Sequence, residues 1–182
     1  MEPGEVEIEI TPILAAGSLE REFAAQLDAL LRRTCKIARA LTGAELAAVK
    51  LRVGEDPSQA RKYFSMSEKF GAFRDFRVDP KGEGLHGMKI PPGEVIRLTE
   101  AEMLSHPLYR GFGPFADAHP PMRGWLATTV CGDGGRAYGL LQLSDKSGGR
   151  DFDEADETNI NELAALIGET LDALRLAAQQ PT

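Results

Sequence analysis

The sequence predicts an α+β domain, in which helices at the two ends of the chain pack around a mainly antiparallel sheet. Three observations support this prediction. The first two are the apolar patterns of residues 18–42 and 160–174, where apolar residues recur at the three- and four-residue steps of an amphipathic helix. The third is a pair of apolar segments joined by a glycine-rich turn at residues 132–135, which is typical of a β-hairpin.

The hairpin lies at the centre of the predicted sheet. Its first arm, Arg123–Cys131, and its second arm, Ala137–Ser144, are both apolar enough to be central strands. Between them lie Gly132, Asp133 and two further glycines, which can adopt the positive φ angles that a tight reversal needs. We therefore expect these two strands to be neighbours inside the sheet.

The N-terminal part of the chain is predicted to form an arm followed by a long helix. Residues 1–17 form the arm, in which residues 5–11 alternate charged and β-branched side chains. That alternation fits either a strand with one solvated face or a flexible segment. Ser18 is a good N-cap for a helix that runs to Thr42, and Gly43 suits the position after a helix.

The middle of the chain alternates short strands with long loops. Strand candidates are Glu45–Val53, the region near Arg61–Met66, and Gly93–Leu98. Thr99 and Glu102 have the spacing of a capping box, which predicts a short helix that ends at His106. Glycines and prolines predict two irregular regions, Glu68–Pro92, with room for one helical turn, and Leu108–Pro121. Loops of this length are usually functional or mobile.

The last helix is predicted to begin after Asp153, with Asp156 at its third position and further acidic residues in its first turn. We interpret these acidic residues as a solvated helix start, because they lack the spacing of an EF-hand cation site. Residues 177–182 are expected to form a tail, so the domain itself is predicted to span residues 18–176.

Composition excludes several functional classes. The chain has 182 residues, 42% hydrophobic and 27% charged, which is typical of one soluble domain with an adequate core. A formal net charge of −7 argues against binding to nucleic acid or to an anionic membrane surface. Apolar runs of about 18 residues, which a transmembrane helix needs, are absent from the sequence. Two isolated cysteines favour a reducing, cytoplasmic setting.

Two motifs in the second half of the chain resemble a known family. The sequence GLLQLSDK at Gly139–Lys146, followed by an F-x-x-x-D pattern at Phe152–Asp156, resembles the C-terminal half of a GAF domain. The segment His106–Ala127 is similar to a variant found in bacterial sensor histidine kinases. The resemblance covers residues 18–176, and its motifs are most specific in the second half.

The resemblance implies a PAS/GAF-related sheet with both terminal helices on one face and with loops on the other face that enclose a pocket. It also implies a non-enzymatic regulatory role in bacterial signal transduction, through small-molecule sensing and dimerisation. The ligand and any cofactor stay unknown, because relatives bind ligands as different as cyclic nucleotides, haem and bilins. The sequence contains no kinase, cyclase or DNA-binding segment, so we expect an output domain or a partner kinase elsewhere.

Seven residues near the entry to the hairpin are the candidate ligand-binding residues. They are His106, Tyr109, Phe112, His119, Met122, Arg123 and Trp125. In this interpretation the aromatic rings supply contact area, Arg123 binds an anionic group, and the histidines act as polar anchors. In the alternative interpretation the aromatic residues are ordinary core beneath a loop, and His119 with the prolines after it fixes that loop.

Other functional interpretations stay open. His86, His106 or His119 could supply an axial ligand to haem, although their spacing does not require it. Bilin attachment at Cys131 would lack the adjacent histidine of many bilin-binding relatives. A methionine sulfoxide reductase would need Cys35 and Cys131 to meet. A structural dimerisation module would need no ligand.

The terminal helices are predicted to form a homodimer, because the alanine-rich stretch at residues 163–178 permits close approach of helices. The glycine-rich tract Lys81–Met88 is set aside as a phosphate-binding loop, since it lacks the GxxxxGKS/T pattern. Neither a catalytic residue nor a metal ligand is predicted.

Overall fold

The structure, a computed structural model, describes residues 21–52, 60–73, 84–111 and 122–178. Its helices and strands, in chain order, are α1 (Arg21–Thr42), β1 (Ala44–Arg52), β2 (Ala60–Met66), β3 (Val95–Leu98), α2 (Glu100–Ser105), β4 (Trp125–Cys131), β5 (Ala137–Lys146) and α3 (Glu154–Ala178). The predicted arm at residues 1–17, the N-cap at Ser18 and residues 179–182 of the predicted tail lie outside these residues, whereas residues 177 and 178 of that tail belong to α3.

The strands of the described residues form one antiparallel sheet in the order β2-β1-β5-β4-β3. The predicted hairpin is confirmed, because β4 and β5 are paired inner strands with Thr128 opposite Leu141. The first arm begins two residues later than predicted, and the second arm continues to Lys146. A 3₁₀ turn at Asp133–Gly135 connects the arms, and Gly134 has a φ of 69° there.

One face of the sheet is covered by the two long helices, as the prediction required. Leu27, Leu31 and Cys35 of α1 and Ile160 and Ile167 of α3 are buried in one apolar cluster. The sheet contributes alternate residues to this cluster, among them Ala47, Val49, Leu126, Val130, Leu141 and Leu143. This alternation follows the period of two by which a strand presents its side chains to opposite faces.

The opposite face is covered by α2 and irregular segments. Ile90, Met103, Trp125, Ala127 and Leu140 form one buried cluster there. Leu46, Ala48 and Phe70 form a second cluster on the same face. In the irregular region Glu68–Pro92, where we expect a long loop with one helical turn, the described residues contain two 3₁₀ helices, at Glu68–Phe73 and Leu85–Gly87.

The predicted helix caps are found where they can be described. Gly43 has a φ of 70°, and its amide donates to the carbonyl oxygen of Arg39 over 2.8 Å. Thr99 and Glu102 form both hydrogen bonds of a capping box. Asp153 and Asp156 form a reciprocal cap at the start of α3, each accepting from the other's backbone amide.

The acidic start of α3 corrects one expectation. Asp156 is buried rather than solvated, and its Oδ2 accepts from Nζ of Lys146 over 2.5 Å. Lys146 also pairs with Asp153, so the end of β5 is attached to the first turn of α3. Within the described residues, no helix is both long and apolar enough to cross a membrane.

Candidate functional site

A cavity of about 290 Å³ lies on the loop-covered face of the sheet. Its apolar wall includes Leu51, Met88, Ile90 and Leu140, and its polar wall includes Lys50, Arg52, His86, Lys89 and Thr129. Small-molecule sites usually combine such an apolar lining with a few polar groups, and occupy roughly 300–1,000 Å³. The cavity is therefore at the lower end of the size expected for a small ligand.

The floor of the cavity is a row of residues across three strands. Lys50 of β1 lies opposite Leu140 of β5, which lies opposite Thr129 of β4. Gly139 permits the close pairing of β5 with β1, because a Cβ at this position would lie 1.9 Å from the carbonyl oxygen of Lys50. The floor is thus fixed by strand register, in the inner part of the sheet.

The roof of the cavity is the segment at residues 84–90. Its 3₁₀ turn is closed by hydrogen bonds from the amides of Gly87 and Met88 to the carbonyl oxygens of Gly84 and Leu85, over 2.9 and 3.0 Å. The hydroxyl of Thr129 donates to the carbonyl oxygen of Ile90. This hydrogen bond attaches the roof to the sheet at the buried end of the segment.

The cavity lies beside a concentration of positive charge. Lys50 and Lys62 are directly opposite each other on β1 and β2, and so project from the same face of the sheet. Burial, reinforced by the charge of Lys50, lowers the pKa of Lys62 to about 8. Among the described residues, neither ammonium group forms an ion pair with a carboxylate.

His86 extends from the roof into the same electrostatic environment. Burial, together with the charges of Lys62 and Lys50, lowers its pKa to about 4. The imidazole is therefore neutral at pH 7, with one nitrogen available as a donor and the other as an acceptor. Lys50 and His86 thus place one cation and one neutral hydrogen-bonding ring in the cavity wall, and Lys62 adds a second cation beside Lys50.

The seven residues predicted as a ligand site are only partly brought together. Tyr109, Met122 and Trp125 pack in the apolar cluster that contains Leu140 and Ile90. His106 follows α2, and its Nδ1 accepts from the amide of Leu108 over 3.1 Å. Arg123 is exposed, and its backbone amide donates to Asp145. Phe112 and His119 lie outside the described residues.

The five described members of that predicted site do not line the cavity, although the cavity adjoins their cluster through Leu140 and Ile90. The lysine pair was missed in the sequence, where residues 50 and 62 are 12 positions apart. The available signal was the alternation of Lys50 and Arg52 on β1, which places two cations on one face of a strand.

The two cysteines are held apart by the sheet. Cys35 is buried, its Sγ lies 3.6 Å from the carbonyl oxygen of Tyr63 in β2, and burial raises its pKa to about 12. Cys131 ends β4, and strands β1 and β5 lie between β2 and β4. Neighbouring strands are about 4.8 Å apart, so this arrangement separates the two thiols by more than a disulfide permits.

The described residues contain no candidate metal site. In the described ranges, no three His, Cys, Asp or Glu side chains are grouped so that they could hold a metal ion. Asp172, which is largely buried, instead accepts from the hydroxyl of Tyr138, from Arg136 and from the amide of Asp133. These contacts hold the hairpin turn against α3.

The sequence matches a family model described as GAF domain over residues 24–172. The structure is similar to the GAF domain of a phosphoenolpyruvate-protein phosphotransferase from Coxiella burnetii, with 16% identity and a TM-score of 0.60 over 88% of this chain and 94% of that chain. A GAF domain/HD domain protein from Geobacter sulfurreducens has 14% identity and a TM-score of 0.61, with coverage of 87% and 99%.

A GAF domain from Synechocystis sp. PCC6803, solved in its photoproduct state, is also similar. Its identity is 16% and its TM-score is 0.59, over 85% of this chain and 99% of that chain. At these identities the similarity to solved structures shows the fold, and the ligand of each protein does not transfer.

Proposed function

This chain belongs to the GAF domain family, and from this premise we propose that it is a non-enzymatic sensory domain that binds a small molecule. The observation that supports the proposal is the cavity of about 290 Å³ between the central strands and the segment at residues 84–90. We propose this cavity as the ligand site. The cluster that contains Tyr109, Met122 and Trp125 lies next to it, because Ile90 and Leu140 belong to both.

The sheet offers a route from the cavity to the helices. Leu140 lines the cavity, whereas the next residue, Leu141, is buried against the helix-covered face. A ligand that favours one position of the roof would favour the conformation of β5 that fits this position. Through Leu141, that change in β5 would alter the packing of α1 and α3. Such a shift is the means by which a sensory domain changes the relative position of its terminal helices.

We propose that those helices form a homodimer. Ile37 and Leu41 are 40% and 51% exposed on α1, one helical turn apart. On α3, Leu166 and Leu176 are 60% and 56% exposed. Large apolar side chains at the surface of two adjacent helices fit a contact with a second copy of the chain.

The biological setting that we propose is bacterial, cytoplasmic signal transduction. The segment His106–Ala127 resembles the sequences of sensor histidine kinases, which supports a role beside a kinase in a two-component system. In that setting the domain would span residues 18–176, and its signal would pass to an output domain or to a partner kinase.

Native mass spectrometry of the protein purified from its own host tests the proposal most directly. We expect a population heavier than the 19.7 kDa chain by the mass of one small molecule, which is lost on denaturation. A spectrum that contains only the mass of the chain, together with no change in Tm across a panel of metabolites, would contradict ligand sensing. A visible absorption band would support the chromophore alternative instead.

A structural dimerisation module is the second candidate function. It is favoured by the packing of Tyr109, Met122 and Trp125, which fill part of the loop-covered face with apolar side chains. This candidate requires a dimer whose mass and Tm do not respond to any small molecule. The same mass spectra therefore separate the two functions, because they report subunit number and bound ligand together.

A further inference from the structure

We infer that the ligand of the cavity is a small organic anion, whose phosphate or carboxylate group binds at Lys50, which lines the cavity, beside its cross-strand partner Lys62. This inference rests on the proposed function and adds the chemical class of the ligand to it. It depends on three observations: the register of the two lysines, the lack of a described counter-charge, and the mixed lining of the cavity.

The register of β1 and β2 forces the two lysines together. Lys50 and Lys62 are direct cross-strand partners, and the Cβ atoms of such partners are about 4.5–5.5 Å apart. Like charges in this relationship are destabilising. The pair of lysines therefore destabilises the folded protein when no ligand is bound.

Burial makes that destabilisation larger. Lys62 is half-buried, so its ammonium group loses part of its hydration. Its Nζ lies 5.0 Å from the centre of the ring of Phe64, and this cation–π contact offsets only part of that loss. The pKa of Lys62 is accordingly lowered to about 8. Since no described carboxylate pairs with either lysine, an anionic group on the ligand would supply the counter-charge that this pair lacks among the described residues.

The remaining lining indicates what else the ligand contains. Met88, Ile90 and Leu140 offer an apolar surface of the kind that contacts a ring or a short hydrocarbon body. His86, neutral at pH 7, can exchange one hydrogen bond with a polar substituent. An inorganic ion alone would leave this apolar surface in contact with water, so the structure favours an organic anion.

Isosteric probes that differ in charge test the inference. Benzoate and benzamide have nearly the same shape, and phenyl phosphate and phenol separate a phosphate from its neutral parent. Binding to the full 182-residue chain would be followed by amide chemical shifts and by Tm at constant ionic strength, with chloride as the balancing anion. We expect benzoate or phenyl phosphate to shift the amides of β1, β5 and residues 84–90, and the neutral probes to bind at least tenfold more weakly.

The variants Lys50→Met and Lys62→Met test the residues themselves. Each should weaken binding of the anionic probes about tenfold, because each removes one charged partner. Both should fold, and their Tm without probe should equal or exceed that of the wild type, because a like-charge contact is removed. Lys36→Met, at an exposed position of α1, is the matched control and should leave probe binding unchanged.

The outcomes separate this inference from the proposed function. Equal binding of benzamide and benzoate, or unchanged binding of the anions to both lysine variants, would overturn the anionic ligand while leaving the cavity as a ligand site. A neutral molecule found by native mass spectrometry would have the same meaning. Failure of all four probes, combined with a chain that carries no ligand from its host, would overturn both.

Discussion

The side-chain hydroxyl of Thr129 donates a hydrogen bond to the carbonyl oxygen of Ile90, and both residues are at least 97% buried, with 3% and 1% of their surface exposed. Within the described residues, this is the one side-chain hydrogen bond between the roof segment and the sheet. The preceding residue, Thr128, projects to the other face of the sheet, and its hydroxyl donates to the carbonyl oxygen of Glu94 over 2.8 Å. Two adjacent threonines therefore anchor two different segments to β4.

The substitution Thr129→Val should loosen the roof of the cavity. Valine has the shape of threonine but no hydroxyl, so the buried carbonyl of Ile90 would lose its donor. We expect the free energy of unfolding to fall by about 1–2 kcal/mol. We also expect faster hydrogen exchange at residues 84–90, which amide exchange measured by mass spectrometry would detect.

Thr128→Val is the matched control for this substitution. It removes a hydrogen bond of the same type from the same strand, but on the helix-covered face. It should lower the free energy of unfolding by a similar amount, about 1 kcal/mol, and leave the exchange of residues 84–90 unchanged. Equal acceleration of exchange in the two variants would contradict a specific role for Thr129.

The stability of the protein should depend on pH through His86. Its pKa is lowered from 6.5 to about 4 on folding, so between these values the unfolded chain binds more protons than the folded chain. Stability is therefore fully present above pH 6.5 and is lost as the pH falls toward 4. Because His86 is only half-buried, solvent reduces the effect, and we expect a loss of about 1 kcal/mol.

Chemical unfolding at several pH values, compared with His86→Gln, measures this contribution. The variant should show a flatter dependence between pH 6.5 and 4, because glutamine does not titrate. The lowered pKa values of Asp28 and Asp172 act below the ordinary value of 3.8, and that of Glu102 acts below its ordinary value of 4.5. Because the variant keeps all three carboxyl groups, the difference between the two proteins isolates His86. Identical slopes for the wild type and the variant would show that His86 is not desolvated in the folded state.

The sequence predicted the fold well because the fold depends on local patterns. The apolar arms around Gly132–Gly135, the spacing of apolar residues in the terminal helices and the capping box at Thr99 each specify an element within about ten residues. The placement of the two helices on one face came from the family resemblance. That placement is confirmed by the shared cluster that contains Leu31 and Ile167.

The candidate site could not be predicted in the same way, because its residues meet through register. Lys50 and Lys62 become neighbours only when β1 and β2 pair with one particular alignment, and a shift of one residue would place one of them on the other face. The same reasoning explains Asp156. Its burial beside Lys146 depends on how the end of β5 meets α3, which a helix pattern does not contain.

Gly168 should tolerate alanine poorly despite its position in the middle of α3. A Cβ there would lie 1.8 Å from the carbonyl oxygen of Cys131, where the helix contacts the end of β4. Helix propensity alone favours alanine by about 1 kcal/mol, so a measured loss of stability would reveal the packing constraint. We expect a net loss of about 1–3 kcal/mol in urea unfolding, because the helix must move away from the strand.

Gly71→Ala provides the contrast for Gly168→Ala. Among the described residues, no atom apart from those of its chain neighbours lies within 4 Å of the position that a Cβ would occupy at Gly71, and its backbone does not have a positive φ. This variant should be neutral within about 0.5 kcal/mol, as is usual for substitutions away from buried contacts. A stabilised Gly168→Ala protein would mean that α3 and β4 are farther apart than described here.

The homodimer is tested by charges on the exposed stripe of α1. The double substitution Ile37→Glu with Leu41→Glu places two carboxylates where 40% and 51% of the apolar side chains are exposed. Light scattering should give twice the chain mass of 19.7 kDa for the wild type and a single chain mass for the variant, with the secondary structure intact. Leu104→Glu, at a 56% exposed position on α2, should remain dimeric, because α2 covers the opposite face of the sheet. Dissociation of this control, or a wild type of single chain mass, would contradict a dimer formed by the terminal helices.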